Sequence, residues 1–139
     1  MKIAICHSMQ YAEKAMEVES YFKSLGHEAF ASTSSIEYVG LNNEDKEKLK
    51  LFHKYEKDAI REHYDVINKC ERVLILNYNK HNIEGYIGGN SFLEMGFAYI
   101  LKKPIFLLNP IPKMPYYETE IIAMKPTVLN GDVNKILND

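Results

Sequence analysis

The 139 residues, 46% of them hydrophobic and 26% charged, predict a single globular domain covering 1–139. A net charge of −2 argues against recognition of a nucleic-acid polymer through a basic surface, and no apolar run reaches the roughly 18–20 residues that cross a bilayer. Because Cys6 and Cys70 form no CxxC pair and the N-terminus turns polar at His7, too soon for a signal peptide, we expect a protein of the reducing cytoplasm.

The first third of the chain predicts a strand, a helix and a second strand. Lys2–Cys6 is almost continuously apolar, as buried parallel strands are. Apolar residues at helical spacing then predict a helix from about Met9 to Leu25. Glu28–Ser32 follows as a ragged strand near the edge of the sheet.

Two polar residues, His7 and Ser8, follow the first strand at its carboxyl end, where open α/β sheets place their ligands. Ser8 is expected either to cap the helix or to bind a ribose or phosphate oxygen with help from the helix N-terminus. His7 is a candidate proton donor, although a histidine at a strand end is commonly only hydrogen-bonded.

The middle of the chain predicts a loop and a long helix. The polar stretch Ser32–Asn43 is longer than most connections and is interpreted as a mobile loop or a lid. Glu44–Asn68 is predicted to be one charged helix, on which His53 and His63 would lie about 15 Å apart. That separation is too large for a shared metal, and no other His/Cys spacing suggests zinc, so neither a metal nor another cofactor is expected.

Arg72–Asn77 is the clearest strand pattern and is predicted to be central. Asn77, Tyr78 and Asn79 would then lie at its carboxyl end. A polar connection, Lys80–Asn90, leads to the next helix.

The stretch Gly85–Asn109 combines a glycine-rich turn, an amphipathic helix and a buried strand. Ser91 is the expected N-cap and Glu94 would close a capping box, which requires no catalytic role. A carboxylate at a helix N-terminus is also held ionised by the positive end of the dipole, which suits a nucleophile or an electrostatic stabiliser better than a general acid. Gly88 and Gly89 would let a ligand approach the backbone closely.

The last third predicts a buried strand, a short helix, a short strand and a terminal helical turn, at Ile105–Leu108, Tyr117–Ala123, Thr127–Leu129 and Val133–Leu137. Strands and helices therefore alternate, which predicts an α/β fold with a doubly wound parallel sheet of five strands in the flavodoxin-like order 2-1-3-4-5. In that order, ligands bind beside the carboxyl ends of the first and third strands. We expect the catalytic candidates Glu94 and His7 there, with the substrate-binding candidates Ser8, Asn77, Asn79, Gly88, Gly89, Asn90 and Ser91.

The segment Asn90–Asn109, NSFLEMGFAYILKKPIFLLN, resembles the signature of the nucleoside 2-deoxyribosyltransferase-like family. That signature has a Glu-x-Gly-x-Ala helix, then Lys-Pro and a hydrophobic strand. Glu94 matches the glutamate that attacks the anomeric carbon of a nucleoside in that family, and Gly96 and Ala98 match the small positions. Two of the family's aspartates are replaced, one by Gly88 and the other by Asn77 or Asn79.

The resemblance implies cleavage of an N-glycosidic bond, or deoxyribosyl transfer, on a nucleoside or its 5′-monophosphate through a covalent glycosyl-enzyme intermediate. Because an asparagine cannot deliver a proton, the leaving base would need another donor, for which His7, His81 and Tyr78 are candidates. The alternative is a non-catalytic nucleoside or nucleotide binder, and a third reading is another enzyme on this fold, such as a phosphate-ester or flavin protein. The family also implies a homodimer or larger homo-oligomer, with Tyr116–Tyr117, Phe92 or Tyr99 at the interface.

Overall fold

A computed structural model describes residues 1–32 and 35–138 as a parallel sheet between two helical layers. The five strands pair in the order β2-β1-β3-β4-β5, and each pair is parallel. Their bounds are β1 Lys2–His7, β2 Glu28–Phe30, β3 Arg72–Leu76, β4 Ile105–Leu107 and β5 Thr127–Val128. The predicted fold class and strand order are confirmed.

The α-helices are α1 Ala12–Ser24, α2 Asn43–Glu56, α3 Ala59–Lys69, α4 Gly89–Ile100 and α5 Glu118–Ala123. Short 3-10 helices occupy Met9–Tyr11, Ser35–Tyr38 and Val133–Leu137. Within the described ranges, no helix has both the length and the apolar character needed to cross a membrane.

Side chains of β1 alternate between the two faces of the sheet, because successive side chains of a strand point in opposite directions. Ile3 and Ile5 pack in the core that contains α1 and the C-terminal 3-10 helix. Ala4 and Cys6 pack in the other core, which contains residues of α3, α4 and α5. Cys6 therefore lies on the face of the sheet that is covered by α4, the helix that carries the catalytic candidate Glu94.

The prediction of one long helix over Glu44–Asn68 is wrong, because the chain breaks into α2 and α3. The break lies at Lys57 and Asp58, and Asp58 has a left-handed backbone with φ 53°. Helical hydrogen bonding cannot continue through a residue in that conformation. His53 and His63 therefore lie on different helices, so their separation along a single helix no longer bears on metal binding.

Two side chains of the described part of Ser32–Asn43, Ser35 and Tyr38, are buried, while most of its other residues are exposed. Its 3-10 helix ends at Tyr38, which is only 1% exposed, and the Tyr38 hydroxyl lies 2.9 Å from Nδ1 of His53. Burial raises the pKa of Tyr38 to about 12, with a smaller contribution from Glu37. Thr33 and Ser34, near the start of the predicted loop or lid, lie outside the described residues.

Helix α4 begins earlier than predicted, and the capping box is wrong. Gly88 is the N-cap, with an extended backbone (φ −80°, ψ 177°), and its carbonyl accepts the N–H of Phe92. Ser91 is therefore already inside the helix, and no side chain caps the N-terminus of α4. Glu94 falls in the second turn, where free backbone N–H groups no longer reach its carboxylate.

The buried side of α4 is not simply its most apolar side. Ser91, Glu94, Met95 and Ala98 face the interior. Two large apolar residues of the same helix are exposed instead, Leu93 by 46% and Ile100 by 78%. The sheet and α3 thus bury a face that carries a carboxylate, which the apolar periodicity of the helix does not reveal.

Candidate functional site

Two adjoining cavities lie beside the carboxyl ends of β1 and β3. The larger one, here called the outer cleft, has a volume of about 490 Å³ and is lined by Ser8, Glu47, Tyr78, Lys80, His81, Tyr86, Gly88, Gly89 and Ser91, among others. The smaller one, the inner pocket, has about 50 Å³ and is lined by His7, Tyr38, His53, His63, Leu93, Glu94 and Phe97, among others. The two share Met9, Lys50, Lys54 and Asn90. The outer cleft is within the size range of small-molecule sites, roughly 300–1,000 Å³.

The structure brings most of the predicted site residues to these two cavities. Ser8, Gly88, Gly89, Asn90 and Ser91 line the outer cleft. The predicted catalytic pair and Asn90 line the inner pocket. The other two predicted binding residues, Asn77 and Asn79, line neither cavity.

Asn77 is a structural crosslink at the end of β3. It is 1% exposed, and its amide nitrogen lies 3.2, 2.9 and 3.2 Å from the carbonyl oxygens of Gly85, Asn109 and Pro110. Its amide oxygen accepts the N–H of Asn109 at 2.9 Å. Every atom of the amide group is therefore engaged with backbone, which leaves it little capacity to bind a substrate.

Asn79 also serves the loop that follows β3. Its side-chain oxygen accepts the N–H of Gly85 at 3.0 Å. It lines a separate cavity with Pro110 and neighbouring loop residues, away from Glu94. Both asparagines thus hold the turn at Gly85, which delivers the chain to α4.

We expect Gly85→Ala to lower the free energy of unfolding by about 2 kcal/mol, because its φ of 66° disfavours a side chain. A Cβ there would also meet the Pro110 carbonyl oxygen at 2.7 Å. Gly89→Ala is the matched control, since nothing lies within 4 Å of its Cβ position. Urea unfolding measures both; equal stabilities for the two variants would contradict this account of the turn.

Glu94 is buried in a cluster with Cys6 and His63. It is 8% exposed, and one of its carboxylate oxygens forms an ion pair with Nδ1 of His63. Nε2 of His63 is buried and has no hydrogen-bond partner in residues 1–32 and 35–138. β1, α3 and α4 therefore converge on one carboxylate.

Electrostatics at this cluster follow from burial and the carboxylate charge. Burial lowers the pKa of His63, but the negative charge of Glu94 and the hydrogen bond between the two side chains together outweigh it, so the pKa is raised above its usual value. Burial, followed by the Glu94 charge, raises the pKa of the Cys6 thiol well above its usual value. His63 is thus favoured as the cation that faces Glu94, while Cys6 remains a neutral thiol.

His7 is held by hydrogen bonds at both ring nitrogens. Nδ1 lies 2.9 Å from the carbonyl oxygen of Ser8, to which it donates, and Nε2 lies 3.4 Å from the hydroxyl of Ser35. Burial lowers the pKa of His7, partly offset by the Ser8 carbonyl. These contacts fit the hydrogen-bonded reading of His7, and its catalytic role stays a prediction.

The outer cleft carries a group of lysines. Nζ of Lys80 donates to the hydroxyl of Ser8 at 3.0 Å, and Ser8 also caps the 3-10 helix that follows. Lys50 and Lys54 line the same cleft, and Lys50 pairs with Glu47 at 2.7 Å. Burial lowers the pKa of Lys80, and the charge of nearby Lys50 adds to the effect. An anion in the cleft would relieve that repulsion.

Sequence reasoning missed Cys6, His63 and Lys80 as site residues. A signal existed for His63, which belongs to the apolar stripe of its helix and so had to face the interior. The strand pattern likewise indicated that Cys6 is buried. The sequence did not reveal that Cys6, His63 and Glu94 lie close together, because His63 is 57 positions from Cys6 and 31 positions from Glu94.

Comparison with solved structures identifies the architecture. The 2-deoxyribosyltransferase of Bacillus psychrosaccharolyticus superposes with a TM-score of 0.59 and 16% identity, covering 100% of this chain and 92% of the transferase. The chain has the fold of this transferase. The CMP N-glycosidase of Clostridium botulinum aligns with a TM-score of 0.49 and 15% identity over 94% of this chain and 87% of its own.

No protein-family model and no curated protein matches the sequence. The shared fold nevertheless agrees with the resemblance of Asn90–Asn109, a segment that covers most of α4 and all of β4 in this chain. The resemblance is therefore confirmed as a shared fold.

Proposed function

We propose that this protein cleaves or transfers the N-glycosidic bond of a nucleoside or nucleoside 5′-monophosphate, with Glu94 as the nucleophile. The observation that carries the proposal is the burial of Glu94 in a pocket that adjoins a ligand-sized cleft. The likeness of Asn90–Asn109 to the transferase signature and the transferase fold support the same chemistry.

In the proposed reaction a Glu94 oxygen attacks C1′ as the bond to the base breaks, and the base leaves with the bonding electron pair. This gives a glycosyl-enzyme ester with inverted configuration. Water or a second base then attacks C1′ from the opposite face and releases Glu94, so the overall configuration is retained. His63, already paired with Glu94, would orient the carboxylate.

The outer cleft is proposed to hold the nucleoside, with C1′ directed past Asn90 into the inner pocket. The absence of side chains at Gly88 and Gly89 lets the substrate approach the start of α4. His81 and Tyr78 line the same cleft and could supply the hydrogen bond or proton that the leaving base requires. In this proposal, His81 and Tyr78 take over the proton-donating role of the family's aspartate, because the asparagine that matches it, Asn77 or Asn79, cannot act as an acid.

A 5′-phosphate would be bound by Ser8 and Lys80, with Lys50 and Lys54 contributing positive potential. We expect Lys80→Met to raise KM for nucleoside 5′-monophosphates about tenfold while leaving KM for nucleosides unchanged, because one charge-assisted contact is worth about 1.4 kcal/mol or more. Lys48→Met, on the exposed side of α2, is the control. An equal change for both substrate classes would argue against a phosphate site here.

A non-catalytic binder is the second candidate, and the engagement of Asn77 favours it, since the position of the family's acid is devoted to structure. The two functions are separated by incubating the metal-free protein with deoxy- and ribonucleosides and their 5′-monophosphates and following free base by chromatography. Base release establishes glycosidic cleavage. Thermal stabilisation by a ligand without base release establishes the binder.

Self-association is also proposed, from the resemblance. Tyr116 is 97% exposed, and Phe92 stacks on Tyr117 with ring centroids 4.4 Å apart. Sedimentation velocity should show a dimer or larger species, whereas a single monomeric boundary at all concentrations would refute it.

A further inference from the structure

Three elements bring metal-binding groups of three kinds to one buried point. Cys6 is on β1, His63 on α3 and Glu94 on α4. One ligand atom from each lies within 4.8 Å of the other two. Thiolate, imidazole and carboxylate are the three ligand types that zinc uses in proteins.

The separations are close to those of a tetrahedral centre. With metal–ligand distances of about 2.0–2.3 Å, ligand atoms around zinc are roughly 3.3–3.7 Å apart. The widest pair here exceeds that by no more than about 1 Å, and His63 and Glu94, now in contact, would part to admit the ion. Rotamer adjustments of this size require no movement of the sheet.

An unsatisfied polar atom lies at the same point. Nε2 of His63 is buried without a hydrogen-bond partner in the described ranges, whereas the buried Glu94 oxygen is ion-paired with Nδ1 of His63. Buried polar atoms in native proteins are nearly always satisfied, so Nε2 calls for an explanation. A cation bound between the two side chains would give an imidazole nitrogen a partner and keep the carboxylate charge compensated.

We propose that Cys6, His63 and Glu94 form a binding site for a zinc-class divalent cation, with a fourth position open to the inner pocket. The pocket, of about 50 Å³, has room for the water that completes a three-ligand centre. Binding displaces the protons of the Cys6 thiol and, where it is charged, of His63 into solvent.

The cation would bind the same carboxylate that the proposed function uses as its nucleophile. Coordination of one Glu94 oxygen draws electron density from the whole carboxylate and lowers its nucleophilicity toward C1′, so the bound ion suppresses glycosidic cleavage. This consequence rests on the proposed function, whereas metal binding does not.

Metal binding is tested by titrating Co²⁺ into chelator-treated protein and recording the thiolate-to-cobalt charge-transfer band in the near ultraviolet. We expect one Co²⁺ per chain, a band from the wild type, and its loss in Cys6→Ser. Cys70→Ser is the matched control, because Cys70 is also buried in the core but lies outside the cluster. A wild type without the band, or a band that survives in Cys6→Ser, would overturn the proposal.

A second variant covers the case in which Cys6→Ser does not fold. His63→Gln should weaken Zn²⁺ binding more than about 100-fold in a chelator competition, since even outer-shell partners of a metal are worth 10–100-fold. His53→Gln, at another histidine of the inner pocket that lies outside the cluster, should bind as the wild type does. Circular dichroism confirms that each variant is folded, and equal affinities in both histidine variants would refute the site.

The same samples separate this inference from the proposed function. Metal binding without base release from the metal-free protein would support the metal site and refute the proposed glycosidic cleavage. Base release without metal binding would support glycosidic cleavage and refute the metal site. If both are present, added Zn²⁺ should suppress base release in the wild type at one equivalent, and undiminished release would refute the suppression through Glu94.

Discussion

Glu94→Gln is expected to lower the rate of base release by at least about a thousandfold, equivalent to about 4 kcal/mol of transition-state stabilisation. An amide has neither the charge nor the nucleophilicity to form the glycosyl ester. Because glutamine has the same size, the buried position beside Met95 and Ala98 stays filled. Steady-state kinetics on the best substrate of the panel measure the effect.

Glu62→Gln is the matched control, since Glu62 lies one residue before His63 on α3 but is exposed. Its rate should equal that of the wild type. Thermal stabilisation by substrate should survive in Glu94→Gln, because the outer cleft does not include that residue. A Glu94→Gln protein that still releases base at more than a tenth of the wild-type rate would exclude Glu94 as the nucleophile.

Asn77→Asp is expected to lower the free energy of unfolding by about 4 kcal/mol and Tm by about 10–15 °C, although the transferase-like signature has an aspartate at the position that Asn77 or Asn79 matches. The amide nitrogen of Asn77 donates toward the carbonyl oxygens of Gly85, Asn109 and Pro110. A carboxylate oxygen there would face three acceptors, and its charge would be buried without a partner. The change should therefore unfold the loop rather than improve catalysis.

Asn79→Asp provides the comparison, because only the side-chain oxygen of Asn79 is used, and aspartate keeps that acceptor for the N–H of Gly85. Its stability should change by less than about 1 kcal/mol, as is usual for exposed positions. Thermal unfolding followed by circular dichroism compares the two. An Asn77→Asp protein as stable as Asn79→Asp would show that the position tolerates an acid, and would revive an acid role there.

The order of the strands followed from the sequence because it depends on short-range patterns. Apolar runs such as Lys2–Cys6 and Arg72–Asn77, separated by helical periodicity, leave few topologies once crossovers must be right-handed. The same rule placed Ser8 and the start of α4 at one edge of the sheet. The two 3-10 helices nearest the cleft and the break at Asp58 were not predicted, because each depends on a backbone conformation that tertiary packing imposes.

Residue chemistry near the site was decided by tertiary structure. The sequence pattern made Glu94 a capping residue at a helix start, but the chain enters α4 at Gly88 and turns Glu94 inward, toward Cys6 and His63. Asn77, expected to meet substrate, instead crosslinks two loops. The fold class and strand order could thus be predicted from the sequence, because they depend on local hydrophobic periodicity. The contacts of individual side chains could be identified only in the tertiary structure, because they join residues that are distant along the chain.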